Sequence, residues 1–434
     1  MTTKKIAVVL GAYGLIGSAC ARALTQAGFY VAGVGRSRTA AQRLFPGIEW
    51  HIIDLAAADV DDLRKIVVGA DVVVNAAGAL QDGLKDDVAA IHEAMMQRLV
   101  QALEGSTTRI IQISAAGVSE DASTEFFRSK ARGDRILTTS ALDWVVLRPT
   151  LVIAPQAYGG TALLRASAAM PLVEFAVLPN SRVQTVSIDD VAGAVVAAAK
   201  REIAWGTVAE LTEYQSHSFS DLVRAVRAWL GFPPWRFRVV VPTFMVRLTA
   251  RIADAFGFLG WRPPLRTTAI TVLAEGIRGD PAMWYAEGGA PCRTLEETLA
   301  GLPAGLQERW FSRLYVLLPV IVGSLAAFWI FSGVIGLVHQ QAAASVLTAR
   351  GFSEQAADLS VLLGAATDIA LGLVILVRRF ARRAALGMVA VSLGYLAAAT
   401  LFTADLWADP LGPLLKVVPG IVLALVAVAL LDER

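Results

Sequence analysis

The stretch IAVVLGAYGLIG, residues 6–17, decides how the N-terminal part of this chain folds. Five apolar residues that favour strands, Ile6 to Leu10, run into Gly11, Gly14 and Gly17, and SACARALTQAG then follows with a helical pattern. Strand, glycine turn and helix in this order predict a dinucleotide site. Gly11 permits the tight turn, Gly14 lets the backbone approach a pyrophosphate, and Gly17 lets the helix pack close on the strand. Tyr13, Leu15 and Ile16 lie between these glycines, so the expected cofactor site takes them in. The free amides and the positive end of the helix dipole then face the phosphates. A plain strand–turn–helix accounts for the apolar run but not for three glycines in step.

Beyond the first helix, FYVAGVGRS (29–37) reads as a second strand. In NAD-binding sites an acidic residue about twenty positions past the glycines binds the ribose hydroxyls. Here Arg36 occupies that place, followed by Ser37 and Arg38. A guanidinium suits a 2′-phosphate by charge and fork geometry, so NADP(H) is preferred, with NAD(H) possible. The plain alternative is a solvated loop arginine. A third strand, EWHIID (49–54), leads to Asp54 and Leu55, where a carboxylate can accept from an adenine amino group. A helix is expected around 59–68. ADVVVNAAGAL (70–80) reads as a fourth strand ending in NAAG, so Ala76, Ala77 and Gly78 allow close backbone approach to the cofactor. A helix near 86–104 precedes a fifth strand, RIIQIS (109–114), which ends at Ser114. This alternation predicts an α/β fold, a Rossmann-type doubly wound parallel sheet with ligand at the carboxyl ends of its strands.

A chain of 434 residues exceeds one ordinary core. Its net charge of +2 gives no case for nucleic acid. Hydrophobic content of 55% and a mean hydropathy of +0.56 are high for a soluble protein, and the excess is concentrated in the last 120 or so residues. Cys20 and Cys292 are the two cysteines, with no CxxC or Cys/His cluster, so zinc, iron–sulfur and disulfide frameworks lack support. Cys20 reads as a small buried filler. Lys4 and Lys5 before an apolar run imitate a signal peptide, but the glycines interrupt that run, and it reads as the first strand.

GAYGLIG, the Asp54-Leu55 pair, NAAG (75–78), Ser114, the FFRSK segment and LRPT (147–150) together resemble the short-chain dehydrogenase/reductase superfamily. The likeness covers roughly residues 4–300. It is nearer to the atypical branch that includes accessory subunits of respiratory complex I. The resemblance implies a YxxxK pair with a serine from the fifth strand: the tyrosine transfers the proton, the lysine lowers its pKa and holds the ribose, and the serine bonds the substrate carbonyl. Aligning on Lys130 puts Phe126 in the tyrosine's place, and phenylalanine has no proton to transfer. Ser114 and Lys130 remain as the catalytic candidates, with Lys130 also expected at the cofactor. Tyr158, after a sixth strand (144–149), is a loop tyrosine that could either supply a hydroxyl or simply pack.

Residues 150–300 resemble the substrate-side lobe of such reductases, with Asp189 or Asp190 expected to cap a helix within 183–199. SFSDLVRAVRAWLGF (218–232) is an amphipathic helix. The stretch 239–260 is amphipathic too, with Arg247 and Arg251 one helical step apart, and fits either a membrane surface or packing on the sheet domain. The boundary between domains 1–305 and 306–434 falls at GLPAGLQERWFSR (301–313).

Four apolar runs follow, 314–338, 359–377, 384–402 and 413–431, each long enough for about 30 Å of hydrocarbon. They predict an all-α four-helix transmembrane bundle and a lipid bilayer as partner. Arg378, Arg379, Arg382 and Arg383 crowd the second loop, and Arg309 and Arg313 precede the first run. Glu354, Asp358, Asp405 and Asp409 mark the opposite loops, although Arg350 lies there too. The positive-inside bias puts both termini in the cytoplasm and the chain in the inner membrane. Helix number, length and glycine-rich texture resemble the DoxX-like four-helix family, whose members are tied to redox systems. Among the four histidines His339 alone is near a run, so a bis-histidine haem cannot be assembled. Asp368 falls mid-run. It is read either as a proton relay or quinone contact, or as a neutral acid bonded to Thr367, Thr400 or a backbone carbonyl; Lys416 lies too near the outer interface to pair with it.

These features predict a membrane-anchored NAD(P)H-dependent oxidoreductase acting on a lipophilic small-molecule substrate. The alternative is a non-catalytic NADPH-binding accessory or sensing protein of a membrane protein complex.

Overall fold

The computed structural model describes residues 4–78, 87–261 and 263–431. The chain divides into two compact units, residues 1–254 with 263–312 and residues 255–262 with 313–434. The first is α/β and the second is helical.

The α/β unit begins β1 (Ile6–Leu10), α1 (Leu15–Gln26), β2 (Tyr30–Gly35), α2 (Arg38–Leu44), β3 (Glu49–Ile52), α3 (Val60–Val67) and β4 (Val72–Asn75). A π turn at Ala90–Ala94 leads into α4 (Met95–Ala102), followed by β5 (Arg109–Ile113), α5 (Glu125–Thr138) and β6 (Asp143–Pro149). The remaining elements are β7 (Leu151–Ile153), α6 (Gly159–Ala168), β8 (Val173–Ala176), β9 (Arg182–Val183), β10 (Thr185–Ser187) and α7 (Ile188–Ala199), then β11 (Thr207–Leu211), β12 (His217–Ser218), α8 (Phe219–Trp229), β13 (Phe237–Val240), α9 (Thr243–Phe258), α10 (Thr267–Glu275), α11 (Ala282–Ala286) and α12 (Leu295–Ala300); of these β11 joins the main sheet and α7 packs on it.

Seven strands make one parallel sheet in the order β11-β6-β5-β4-β1-β2-β3. Alternation along each strand sends neighbours to opposite faces. Ala7, Val9, Val74, Ile111 and Val145 therefore pack on one side with residues of α1 and α7. Val8, Leu10, Val73, Ile110 and Val146 pack on the other with residues of α3, α4 and α5. The strand order reverses between β1 and β4, which opens a crevice at their carboxyl ends.

Expected and observed elements differ at particular points. The third strand stops at Ile52, so Asp54 lies in the following turn. Of the expected strand 70–80, residues 72–75 are extended, and 79 and 80 lie outside the described residues, as does 86 at the start of the expected helix. The cap of α7 is neither aspartate but Ser187, whose hydroxyl accepts from the Asp189 amide. Asp189 and Asp190 instead pair with Arg293 from the first turn of the helix.

The helical unit follows α13 (Leu306–Val338) with α14 (Gln340–Thr348), α15 (Glu354–Val374), α16 (Arg378–Phe402) and α17 (Val417–Leu430). Among the described residues three helices, α13, α15 and α16, are long and apolar enough to cross a membrane. The fourth expected run, 413–431, is helical over 14 residues only, about 21 Å at 1.5 Å per residue. Gly412, with a positive φ of 58°, and Pro413 keep the chain in turns before it. Leu325, Trp329, Ala381, Ala385, Met388 and Ala427 form the centre of this unit. Small residues set the helix spacing: a Cβ on Gly333 would fall 2.5 Å from the Ala365 carbonyl oxygen of α15.

Candidate functional site

The β1–α1 turn has the shape its glycines demand. Gly11 adopts a φ of +72°, and a Cβ there would lie 2.9 Å from the Ala76 oxygen and the Ala77 nitrogen. The turn after β1 therefore rests directly on the turn after β4. Gly14 is the N-cap of α1 and offers no capping side chain, which leaves the amides of Leu15, Ile16 and Gly17 for a ligand. A Cβ on Gly17 would sit 2.3 Å from the Gly11 oxygen, so only glycine brings this helix so near its strand. These are the dimensions of a pyrophosphate cradle, and they fit a dinucleotide.

At the end of β2 the phenol of Tyr13 accepts from the Arg36 amide at 3.2 Å. Its ring fills the space a side chain on Gly35 would need. Tyr13 thus shapes the backbone that carries Arg36 at the end of β2. Asp54 accepts from the Ala56 amide at 3.1 Å, and Leu55 is buried beneath it. Asn75 orders the turn after β4: its amide donates to Gln112 at 2.7 Å and its oxygen accepts from the Ala77 amide at 3.2 Å.

The structure separates the two catalytic candidates by their partners. Ser114 is buried and donates to the Asp134 carboxylate at 2.7 Å, which also accepts from Arg148 at 2.9 Å. Lys130 is buried too, and its ammonium donates to the Ile113 carbonyl at 3.1 Å. It lies 5.7 Å from the centre of the Phe126 ring and beside Gly78. Burial pushes the Lys130 pKa down to about 8, although the Asp134 charge pulls the other way.

His92 was not anticipated from the sequence. It lies on the π turn, edge-on to Phe126 at 5.8 Å, with Nδ1 2.9 Å from the Ser129 hydroxyl. Its Nε2 faces Gly78, 3.2 Å from where a Cβ would be, and Lys130 Nζ reaches the same point at 4.0 Å. Burial, and then the Lys130 charge, depress its pKa to about 3, so the imidazole is neutral at physiological pH. The available signal was its place on the helix expected after NAAG; the π turn that carries it, a feature frequent at functional sites, is visible only in the structure. Tyr158 is 59% exposed and starts α6, where its backbone bonds the Thr161 hydroxyl.

In the helical unit Asp368 is buried and accepts from Ser332 at 2.9 Å and Tyr395 at 3.0 Å. The threonines expected as partners turn elsewhere: Thr367 and Thr400 each bond the carbonyl four residues back in their own helix.

Residues 11–202 match the NAD(P)H-binding family, and residues 326–425 match the DoxX-like family. No curated protein shows a significant match. Among solved structures, the Bordetella bronchiseptica enzyme WbmG in complex with NAD aligns at a TM-score of 0.53 and 17% identity, over 69% of this chain and 93% of that one. A UDP-glucose 4-epimerase from Thermotoga maritima aligns at 0.52 and 16%, over 68% and 96%. A putative epimerase from Burkholderia cenocepacia aligns at 0.51 and 18%, over 71% and 97%. At these identities the likeness is one of fold. The chain thus carries a Rossmann-type sheet over a region similar to the NAD(P)H-binding family, followed by a helical region similar to the DoxX-like family.

Proposed function

We propose that the protein is a membrane-anchored NAD(P)H-dependent oxidoreductase, with NADPH preferred, that reduces a lipophilic carbonyl or quinone at the inner face of the membrane. The observation that carries this reading is the buried Lys130 ammonium beside Gly78. When bound, NAD(P)H supplies the hydride. The oxygen of a reduced carbonyl or quinone also needs a proton, and Phe126 cannot give one. Ser114 is committed to Asp134. Lys130, with its pKa near 8, releases a proton at physiological pH more readily than an ordinary lysine. Neutral His92 closes the other side of Gly78 without adding a second positive charge. The lipophilic substrate class rests on fusion to the DoxX-like domain and its apolar helices. The orientation, with both termini cytoplasmic, rests on the arginines at 378, 379, 382 and 383.

The decisive measurement is the absorbance of the nicotinamide band of NADPH loaded on the full chain in vesicles, with and without a water-soluble quinone such as menadione. Oxidation is expected with quinone, and Lys130→Met is expected to slow it at least about 100-fold, in the range for loss of a proton-transfer group. Phe126 favours a second reading, a cofactor-binding accessory or sensor of a membrane complex. A cofactor that stays reduced with every acceptor tried would establish that reading instead.

Cofactor choice has its own test. Arg36→Ala is expected to weaken NADPH binding about 10- to 150-fold while leaving NADH within about twofold, since one charge-assisted contact to the 2′-phosphate is worth about 1.5–3 kcal/mol. Equal loss for both cofactors would return Arg36 to the solvent.

A further inference from the structure

Helix α9 divides its surface in a way that packing within the fold does not explain. Val246 and Ala250 are buried and meet Ile270, Val177, Val241 and Leu265. Opposite them Phe244, Leu248, Ile252 and Phe256 stand one turn apart, exposed by 70, 55, 50 and 40%. Four large apolar side chains in an i, i+4 row form a continuous stripe on the helix surface. Soluble proteins seldom leave such a patch open unless something covers it. Arg247 and Arg251 border the stripe, both exposed, and neither side chain forms a hydrogen bond or ion pair among the described residues.

A separate observation fixes the level at which this helix ends. Just beyond it, the Leu259 carbonyl accepts from the Arg378 amide at 3.0 Å. The Trp261 indole donates to the Leu376 carbonyl at 2.6 Å, and the Arg378 guanidinium lies 5.6 Å from the Trp261 ring. Leu376 to Arg378 is the turn between α15 and α16, two of the helices able to cross a membrane, and it opens the four-arginine cluster. Tryptophan and arginine at the end of apolar helices belong at headgroup depth.

We propose that α9 is an in-plane membrane helix. Its row from Phe244 to Phe256 enters the edge of the hydrocarbon, and Arg247 and Arg251 reach the phosphates of anionic lipids. The occupant of this face is the bilayer because the helix runs on in sequence into Leu259 and Trp261, which bond the turn between two apolar helices, and the charged border of the stripe is cationic. The inference needs the chain to be in a membrane and does not need it to be an enzyme.

The test uses the full chain with Cys292→Ser, since Cys20 is buried and inert to labelling. A nitroxide is attached through Leu248→Cys, Ile252→Cys or, on exposed α3, Lys65→Cys. Vesicles contain phosphatidylethanolamine and phosphatidylglycerol, and NADPH binding checks that each protein is folded. Labels at 248 and 252 are expected to collide with oxygen at least about threefold more than with a water-soluble nickel chelate, as for a helix about 5–10 Å into the boundary, with the reverse at 65. Nickel exposure at 248 and 252 equal to that at 65 overturns the proposal, because the stripe is then in water. Shielding from both reagents also overturns it, because a second copy or a protein partner then covers the face. Arg247→Gln with Arg251→Gln, or exchange of phosphatidylglycerol for phosphatidylcholine, is expected to raise nickel exposure at 248. No change in either case overturns the role given to the arginines.

Discussion

Gly17→Ala is expected to lower NADPH affinity at least about 100-fold, roughly 2.7 kcal/mol, while the chain stays folded. The added methyl would meet the backbone of the glycine turn: the Gly11 oxygen at 2.3 Å, the Gly11 carbonyl carbon at 2.9 Å and the Ala12 Cα at 3.1 Å. Backbone cannot rotate away as a flexible side chain can, so α1 must move off β1. The amides of Leu15, Ile16 and Gly17 move with it, and their value to a pyrophosphate depends on position. Overpacking of this kind costs about 1–3 kcal/mol in stability. Gly193→Ala is the control: on α7, a Cβ there meets nothing within 4 Å, and alanine is the better helix former by up to about 1 kcal/mol. It should bind NADPH as the parent does and melt no lower. Titration by NADPH fluorescence reads both. A Gly17→Ala protein within threefold of the parent would mean that the dinucleotide lies elsewhere.

The contrast between these two glycines shows what the sequence could reveal. The glycine turn was legible because its chemistry is local: φ, close approach and helix start all follow from residues within a dozen positions. The parallel sheet was legible for the same reason, through the period of its apolar residues. The inner face of the site was not. Ser114 and Asp134 meet across twenty positions, and His92 and Ser129 across thirty-seven. Such pairs depend on how α4 and α5 lie against β4 and β5, which no spacing encodes. The π turn adds a further obstacle, since one extra residue shifts the face that His92 presents relative to a regular helix. Asp368 repeats the lesson in the helical unit: a partner on another helix wins over a threonine next door, because Thr367 is satisfied by its own backbone.

Lys130→Met is expected to be more stable than the parent at pH 7, by about 2 kcal/mol, even as it loses the proposed proton transfer. Lys130 is 7% exposed, and burial brings its pKa from 10.5 to about 8. That difference corresponds to about 3 kcal/mol. The sign follows from where each state holds the proton. Below pH 8 both folded and unfolded chains keep it, and the folded state bears the full cost of a buried charge. Between pH 8 and 10.5 the folded protein has shed the proton while the unfolded chain still binds it, so stability rises with pH. Above 10.5 the cost is gone. Methionine keeps the length of the side chain without the charge. It also gives up the hydrogen bond to the Ile113 carbonyl, worth about 1 kcal/mol, which leaves the net gain near 2. The advantage should therefore be full at pH 7 and shrink as the pH passes from 8 to 10. Apparent Tm of the full chain in detergent at pH 7 and pH 9.5 reads it. A variant that melts below the parent at pH 7 would show that the pull of Asp134 outweighs burial. Lys130 would then be there to hold the fold, and the case for it as proton donor would fail with it.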